Sequence, residues 1–167
     1  MSELQTGTYE LIKTEFNLFE GILEPVFTQY KAKLNSKNLC LNYVNQENEL
    51  IIYSDRYAFT QIIENIYDNS IKYTEQGEIL VEVEKLNNKD FKVTISDTGI
   101  GISREYLENI FEAFSQEYQG YSRPYDGCGL GLSITKKYCE VVNAEIEIES
   151  ERGKGTKVAI TFKDCLK

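Results

Sequence analysis

The hexapeptide Asp97-Thr-Gly-Ile-Gly-Ile102 follows a segment in which apolar residues alternate, at Phe91, Val93 and Ile95. Successive side chains of a strand point to opposite faces, so the alternation predicts a strand with Asp97 on its apolar face. A buried carboxylate must be paired or must bind a ligand, because burying an unpaired charge is costly. The two glycines let the backbone turn or a planar group approach closely. We therefore predict that residues 97–102 form the floor of a nucleotide pocket in which Asp97 recognises the base.

Periodic apolar residues predict further strands and helices on both sides of this stretch. After Asn17, a predicted N-cap, helical spacing indicates a helix over 18–34, and Pro25 delays its start or kinks it. A second helix runs from its N-cap Asp55 to about Tyr73. Strands are predicted at 9–16, 39–44, 50–53, 78–84, 145–149 and 158–162.

The fold class follows from how polar residues are distributed along the predicted strands. Strands that are apolar on one face and charged on the other belong to a sheet that is covered on one side. The helices must then supply that cover, which predicts an α/β fold of the two-layer sandwich type.

Composition excludes several classes of function. The 167 residues carry a formal net charge of -9, which argues against a general nucleic-acid binder. No apolar run approaches the roughly 20 residues needed to span a bilayer, and no secretion leader is evident. The chain contains no histidine and its four cysteines form no Cys-x-x-Cys pair, so zinc, a histidine base and an internal histidine phospho-acceptor are not expected.

One flank of the second helix carries three polar residues. At 100° per residue, Asn65, Asn69 and Lys72 fall together at the edge of its buried stripe, where a pocket wall would lie. Magnesium in phosphate sites takes one or two protein oxygens and keeps several waters, so Asn69 is a sufficient protein ligand. Taken alone, the pattern is more typical of a solvated helix face.

A glycine-rich segment, Gly127-Cys-Gly-Leu-Gly-Leu132, opens another helix after a long polar connection. Free amides at a helix N-terminus and the helix dipole both favour anions, so this segment is a candidate phosphate cradle. It is not a Walker loop, because Lys and Ser/Thr do not follow its last glycine. On its own it is equally consistent with a flexible hinge.

The order of these segments resembles the ATP-binding catalytic domain of sensor histidine kinases, in the GHKL superfamily with gyrase, heat-shock chaperone and mismatch-repair ATPases. The matching segments are an N box at 64–74, a G1 box at 97–102, an F box at 111–114, a G2 box at 127–132 and a last glycine box at 153–156. The resemblance implies a Bergerat-type fold, with a mixed and mostly antiparallel sheet covered on one face by about three helices.

The resemblance also implies a role for each site residue. Asp97 would accept a hydrogen bond from the adenine amino group, and Asn69 would hold Mg²⁺. The catalytic residues would be Asn65, Lys72 and Arg123, the last reaching the γ-phosphate of ATP, although Arg123 is equally a solvated surface residue. The ATP-binding residues would be Asn65, Asn69, Lys72, Tyr73, Asp97, Gly99, Gly101, Ile102, Phe114, Gly127, Gly129, Leu130, Gly131, Leu132 and Thr156.

Kinase and hydrolase chemistry differ at one position of the N box. The related ATPases have a catalytic Glu four residues before the magnesium Asn, and this chain has Asn65 there. Glu64 lies about 140° around the helix from Asn69 and is expected to face solvent. We therefore expect a protein-histidine kinase domain that transfers the γ-phosphoryl to a histidine elsewhere. The alternatives are a GHKL hydrolase fragment, a nucleotide-binding module such as a scaffold or anti-sigma partner, and a purely structural domain.

The resemblance extends to domain organisation and partners. We expect residues 1–8 to be the remnant of a preceding dimerisation helix or linker, and 9–167 to be the ATP-binding catalytic domain. Expected partners are the histidine-containing dimerisation domain of the same receptor and a response regulator receiver domain. Nucleic acid and direct membrane contact are not expected. The expected location is cytoplasmic, as part of a larger receptor whose own membrane attachment is left open.

Overall fold

The computed structural model describes residues 9–45, 49–113 and 129–167. The element bounds in chain order are β1 (Lys13–Asn17), a π-helical turn (Phe19–Leu23), α1 (Glu24–Ser36), β2 (Cys40–Asn45), β3 (Ile51–Asp55), α2 (Arg56–Tyr73), β4 (Glu78–Lys85), β5 (Phe91–Asp97), α3 (Arg104–Leu107), α4 (Gly131–Val141), β6 (Ala144–Glu151) and β7 (Gly155–Phe162).

Five strands form one sheet in the order β2-β4-β5-β7-β6. The β2–β4 pair is parallel, and the other three pairs are antiparallel. Strands β1 and β3 form a separate antiparallel pair. The helices lie on one side of the five-stranded sheet, which confirms the predicted two-layer α/β sandwich.

Helix α2 supplies the centre of the core, and its N-terminus is capped as predicted. Oδ1 of Asp55 accepts a hydrogen bond from the Ala58 amide at 2.9 Å. Along the helix, the residues that face the sheet are buried: Ala58, Phe59, Ile62, Ile63, Ile66, Tyr67, Ser70 and Ile71.

Three stacked rings join α2 to the sheet. Phe59 lies 4.2 Å from Phe162, centroid to centroid, and Phe162 lies 4.9 Å from Phe91. Phe91 begins β5 and Phe162 ends β7, whereas Asp97 and Thr156 lie at the other ends of these paired strands. The aromatic anchor and the predicted pocket are therefore at opposite ends of the sheet.

The N-terminal third departs from the predicted bounds for local reasons. Strand β1 begins at Lys13 instead of residue 9, because its partner β3 ends at Asp55, opposite Lys13. The Ile12 amide donates instead to the side-chain Oδ2 of Asp55 (2.8 Å). The Asn17 side chain caps the next segment, but that segment begins with a π-helical turn, and Pro25 lies in the first turn of α1. Strands β2 and β3 belong to different sheets.

No helix among the described residues combines the length and the apolar content that crossing a bilayer requires.

Candidate functional site

Asp97 ends β5 directly opposite Thr156 of β7, and its carboxylate is held by backbone amides. Oδ1 accepts hydrogen bonds from the amides of Gly99 (2.9 Å) and Thr156 (3.2 Å). The hydroxyl of Ser70, which is buried on α2, bonds to the same carboxylate. The carboxylate is therefore fixed between a strand end, a loop and a helix.

Burial governs the protonation of this carboxyl. Desolvation raises the pKa of Asp97 above its ordinary value, and the hydrogen bonds from Gly99, Ser70 and Thr156 lower it only in part. Desolvation disfavours the charged form, whereas donors to the carboxylate favour it. A carboxylate kept on the buried side of a strand despite this penalty marks a candidate functional site.

Gly99 lies so close to neighbouring oxygen atoms that no side chain could be accommodated there. A Cβ at this position would lie 2.5 Å from the Tyr73 carbonyl oxygen and 2.8 Å from both Asp97 Oδ1 and Thr74 Oγ1. The Thr74 hydroxyl is fully buried and has no hydrogen-bond partner in the described structure. Since buried polar groups are rarely left unpaired, this region fits a polar ligand or a bridging water.

The turn between β6 and β7 fixes the rest of the 97–102 loop. The Ile102 amide donates to Ser150 Oγ (2.9 Å), and the Gly153 amide donates to the Ile100 carbonyl (2.7 Å). At Gly101 the backbone is left-handed (φ +66°), and a Cβ there would lie 2.0 Å from the Glu151 carbonyl oxygen. Gly101 is therefore required by close backbone contact.

Thr156 contributes its backbone and its side chain to different contacts. Its amide bonds to Asp97, while its hydroxyl lies 2.9 Å from Ser150 Oγ. Ser150 and Ser70, which belong to this hydrogen-bonded group, and the neighbouring Thr74 were not among the predicted site residues. Ser150 could have been found from the sequence, because it continues the alternation of Ile146 and Ile148 and so lies on the apolar face of its strand. Asp97 occupies the equivalent place in its own strand.

The polar flank of α2 ends next to the 97–102 loop. Asn65, Asn69 and Lys72 are all half-buried, as expected for the edge of a core-facing stripe. The Lys72 ammonium lies 4.9 Å from the centre of the Tyr73 ring, and the Tyr73 carbonyl accepts the Ile100 amide (3.1 Å). The end of α2 that carries Lys72 and Tyr73 therefore contacts the loop that follows Asp97.

The expectation that Glu64 faces solvent is wrong. Glu64 is half-buried, and its Oε1 accepts hydrogen bonds from Gln29 and, at 3.1 Å, from the Tyr30 hydroxyl of α1. The error arose because helical angle alone does not reveal a neighbouring helix. Glu64 is held on the α1 side of α2 and is not available on the Asn65/Asn69 flank.

The described part of the glycine-rich segment begins at Gly129, whose backbone is left-handed (φ +70°). Helix α4 starts at Gly131, and no side chain of the described residues caps it at Leu130. Gly131, Leu130 and Leu132 are half-buried, and a Cβ on Gly131 would meet open space. Uncapped first-turn amides suit an anion. Arg123, Phe114 and Gly127 lie outside the described residues.

A family model described as "Histidine kinase-, DNA gyrase B-, and HSP90-like ATPase" matches residues 54–165. Among curated proteins, the hybrid signal transduction histidine kinase B of Dictyostelium discoideum is 33% identical over 173 residues, covering 96% of this chain. The chain spans only 8%, 31% and 19% of the lengths of the first three curated relatives that it matches.

Solved structures share the fold. Full-length ShkA in complex with AMPPNP superposes with a TM-score of 0.85 at 24% identity, covering 98% of this chain and 34% of ShkA. The histidine kinase ThkA in complex with the response regulator protein TrrA gives a TM-score of 0.77 at 25% identity, covering 97% of this chain and 45% of ThkA.

Proposed function

The chain belongs to the histidine kinase-, DNA gyrase B- and HSP90-like ATPase family, as an ATP-binding catalytic domain of the sensor histidine kinase type, and we propose that it transfers the γ-phosphoryl of ATP to a histidine on a separate dimerisation hairpin. The observation that carries this proposal is the fixed Asp97 carboxylate. Its Oδ1 is occupied by two backbone amides, so the carboxylate is oriented before any ligand arrives.

Adenine would be recognised at Asp97. An oriented carboxylate can accept a hydrogen bond from the exocyclic amino group, and a carbonyl-bearing base such as guanine would present an acceptor there instead. Gly99 lets the loop lie close against the end of α2. Gly101 and Ile102 keep the loop on the β6–β7 turn. The unpaired Thr74 hydroxyl supplies a site for a water beside the base.

The phosphates would lie between α2 and the N-terminus of α4. Asn69 would hold Mg²⁺ through its amide oxygen, and the ion when bound would neutralise part of the phosphate charge. Asn65 and Lys72 would contact phosphate oxygens or their water shell, and Tyr73 would lie against the adenine or ribose. The amides that follow Gly129 and Gly131 would donate to phosphate. Arg123, Phe114 and Gly127 are proposed as further contacts from the resemblance.

Transfer is favoured over hydrolysis because no carboxylate base stands on the Asn65/Asn69 flank in the described structure. Asn65 cannot act as a carboxylate, and Glu64 is engaged by Gln29 and Tyr30. The domain would hold ATP in position and leave the nucleophile to a histidine, a residue type that this chain lacks. A response regulator receiver domain is the proposed partner for the second step, since ThkA was solved with such a protein.

Calorimetric titration with a non-hydrolysable ATP analogue, combined with steady-state ATPase assays, tests this proposal. We expect Mg²⁺-dependent binding that weakens in Asn69→Ala, together with slow hydrolysis. Asn65→Glu should raise hydrolysis at least about tenfold by restoring a base, whereas the matched Asn65→Gln should not. Fast hydrolysis by the unmodified domain would favour the hydrolase alternative, and an absence of nucleotide binding would overturn the proposal.

A further inference from the structure

Lys37, the residue that follows α1, reaches across to the C-terminal end of α2. Its Nζ donates hydrogen bonds to three main-chain carbonyls, those of Ile71 (3.0 Å), Lys72 (2.9 Å) and Thr74 (3.1 Å). It also lies 3.6 Å from Glu75 Oε1. One ammonium therefore uses its three donors on a single helix end.

The end of α2 needs such a partner. The last four carbonyls of a helix have no partner within it, and a cation there is also favoured by the helix dipole. Helices often close with a left-handed glycine, but α2 leaves at Thr74 in an extended conformation (φ -106°, ψ 118°). Lys37 takes the place of that closing turn.

The carbonyl that Lys37 does not contact belongs to Tyr73 and accepts the Ile100 amide of the 97–102 loop (3.1 Å). The last turn of α2 is thus held on one side by Lys37 and on the other by the loop that follows Asp97. Lys72 and Tyr73 project from this turn. The positions of these two side chains relative to the 97–102 loop depend on where the last turn of α2 ends.

We propose that Lys37 is a positioning residue for nucleotide binding, although it lies outside the recognised sequence motifs. By binding three carbonyls it fixes the backbone of Lys72 and Tyr73 and keeps the Tyr73 carbonyl directed at Ile100. This inference rests on the proposed function, because it concerns the same nucleotide site.

A matched control distinguishes positioning from simple tethering of the two helices. Lys33 of α1 forms an ion pair with Asp68 of α2 at 2.7 Å, one turn earlier. Lys33→Met removes a contact between the same helices without touching the carbonyls of the last turn. Lys37→Met removes the three carbonyl contacts, and Lys37→Arg retains a cation with several donors.

The experiment measures affinity for a non-hydrolysable ATP analogue by calorimetry, at a temperature where thermal unfolding shows each variant folded. We expect Lys37→Met to bind about tenfold more weakly, in the range of coupling between sites, and Lys33→Met to stay within about twofold. Lys37→Arg should recover part of the loss. If Lys37→Met does not fold, Lys37→Gln takes its place with the same expectation.

Amide hydrogen exchange of the nucleotide-free domain supplies a second readout. The Ile100 amide should exchange faster in the Lys37 variant and not in Lys33→Met. Equal affinities in the two methionine variants, or unchanged exchange at Ile100, would overturn the proposal. Failure of the unmodified domain to bind the analogue would instead refute the proposed function, while the exchange result would still decide whether Lys37 stabilises the Tyr73–Ile100 hydrogen bond.

Discussion

At the scale of single residues, stability of the fold favours the protonated form of Asp97, whereas its proposed role in binding adenine requires the ionised form. Burial raises its pKa, so the folded state binds a proton at this site more readily than the unfolded chain does. The stability contributed by such a group is present below its unfolded pKa and is lost as pH rises through its folded pKa. The ionised form at neutral pH is therefore unfavourable for the ligand-free fold, as is common at functional sites.

Replacement of Asp97 by Asn should separate binding from stability. The amide oxygen can still accept the bonds from Gly99 and Thr156, but the amide cannot reproduce a charged acceptor for the adenine amino group. We expect ATP-analogue affinity to fall about 100-fold, and the free energy of unfolding at neutral pH to stay level or rise. Calorimetry and urea denaturation measure the two quantities. Asp68→Asn, on the Lys33 side of α2, serves as the control, and retained affinity in Asp97→Asn would contradict the assignment.

The pH dependence of binding should follow the same carboxyl. Protonation removes the charged acceptor, so affinity should fall as the solution is acidified through the raised pKa of Asp97. Because that pKa lies above its ordinary value, the loss should begin at a higher pH than an ordinary aspartate would give. Calorimetric titrations over a pH series measure the effect. In Asp97→Asn this loss of affinity at acidic pH should disappear. If it persists, the titrating group is not Asp97.

At the scale of secondary-structure elements, the β6–β7 turn positions the loop after Asp97 by backbone contact. Gly101 and Gly153 both have positive φ angles, +66° and +81°. A Cβ on Gly101 would lie 2.0 Å from the Glu151 carbonyl oxygen, whereas one on Gly153 would meet nothing within 4 Å. Substitution of Gly153 therefore tests backbone strain alone, whereas substitution of Gly101 tests backbone strain together with steric contact.

Gly101→Ala should therefore be more damaging than Gly153→Ala. Each substitution carries about 1 kcal/mol for the left-handed backbone, and Gly101→Ala must also displace the turn, for a total of at least about 2 kcal/mol. Urea denaturation measures both. We also expect ATP-analogue affinity to fall only in Gly101→Ala. Equal destabilisation of the two variants would show that the loop does not depend on this contact.

Much of the element structure was predictable because it depends on local periodicity. Alternation located β4 to β7 and placed Asp97 on the buried face, and the Asp55 cap located the start of α2. The contacts of Lys37, Ser150 and Glu64 were not predictable in this way. Each contact depends on which elements pack together. The hydrogen-bond partners of Lys37 and Glu64 are 34 or more residues away in the sequence, and the partner of Ser150 is 48 residues away. Periodicity carries no information about such partners.

At the scale of the whole molecule, one end of the sheet carries the aromatic anchor and the other carries the proposed nucleotide site. Phe59, Phe91 and Phe162 stack at one end, while Asp97 and Thr156 meet at the other. Substitutions in the proposed site can thus be compared without removing the aromatic anchor. Net charge does not oppose nucleotide binding, since Lys72 and helix amides act locally.

We propose that this domain binds ATP and that a histidine outside this chain accepts the phosphoryl group. The test incubates the domain with Mg²⁺ and γ-labelled ATP, alone and with the histidine-bearing dimerisation hairpin that is its proposed partner. We expect acid-labile phosphate on the hairpin histidine, none on the domain alone, and loss of the label with Asp97→Asn. Acid-labile phosphate on the isolated domain, or an unlabelled hairpin beside a domain that binds ATP, would contradict the proposal.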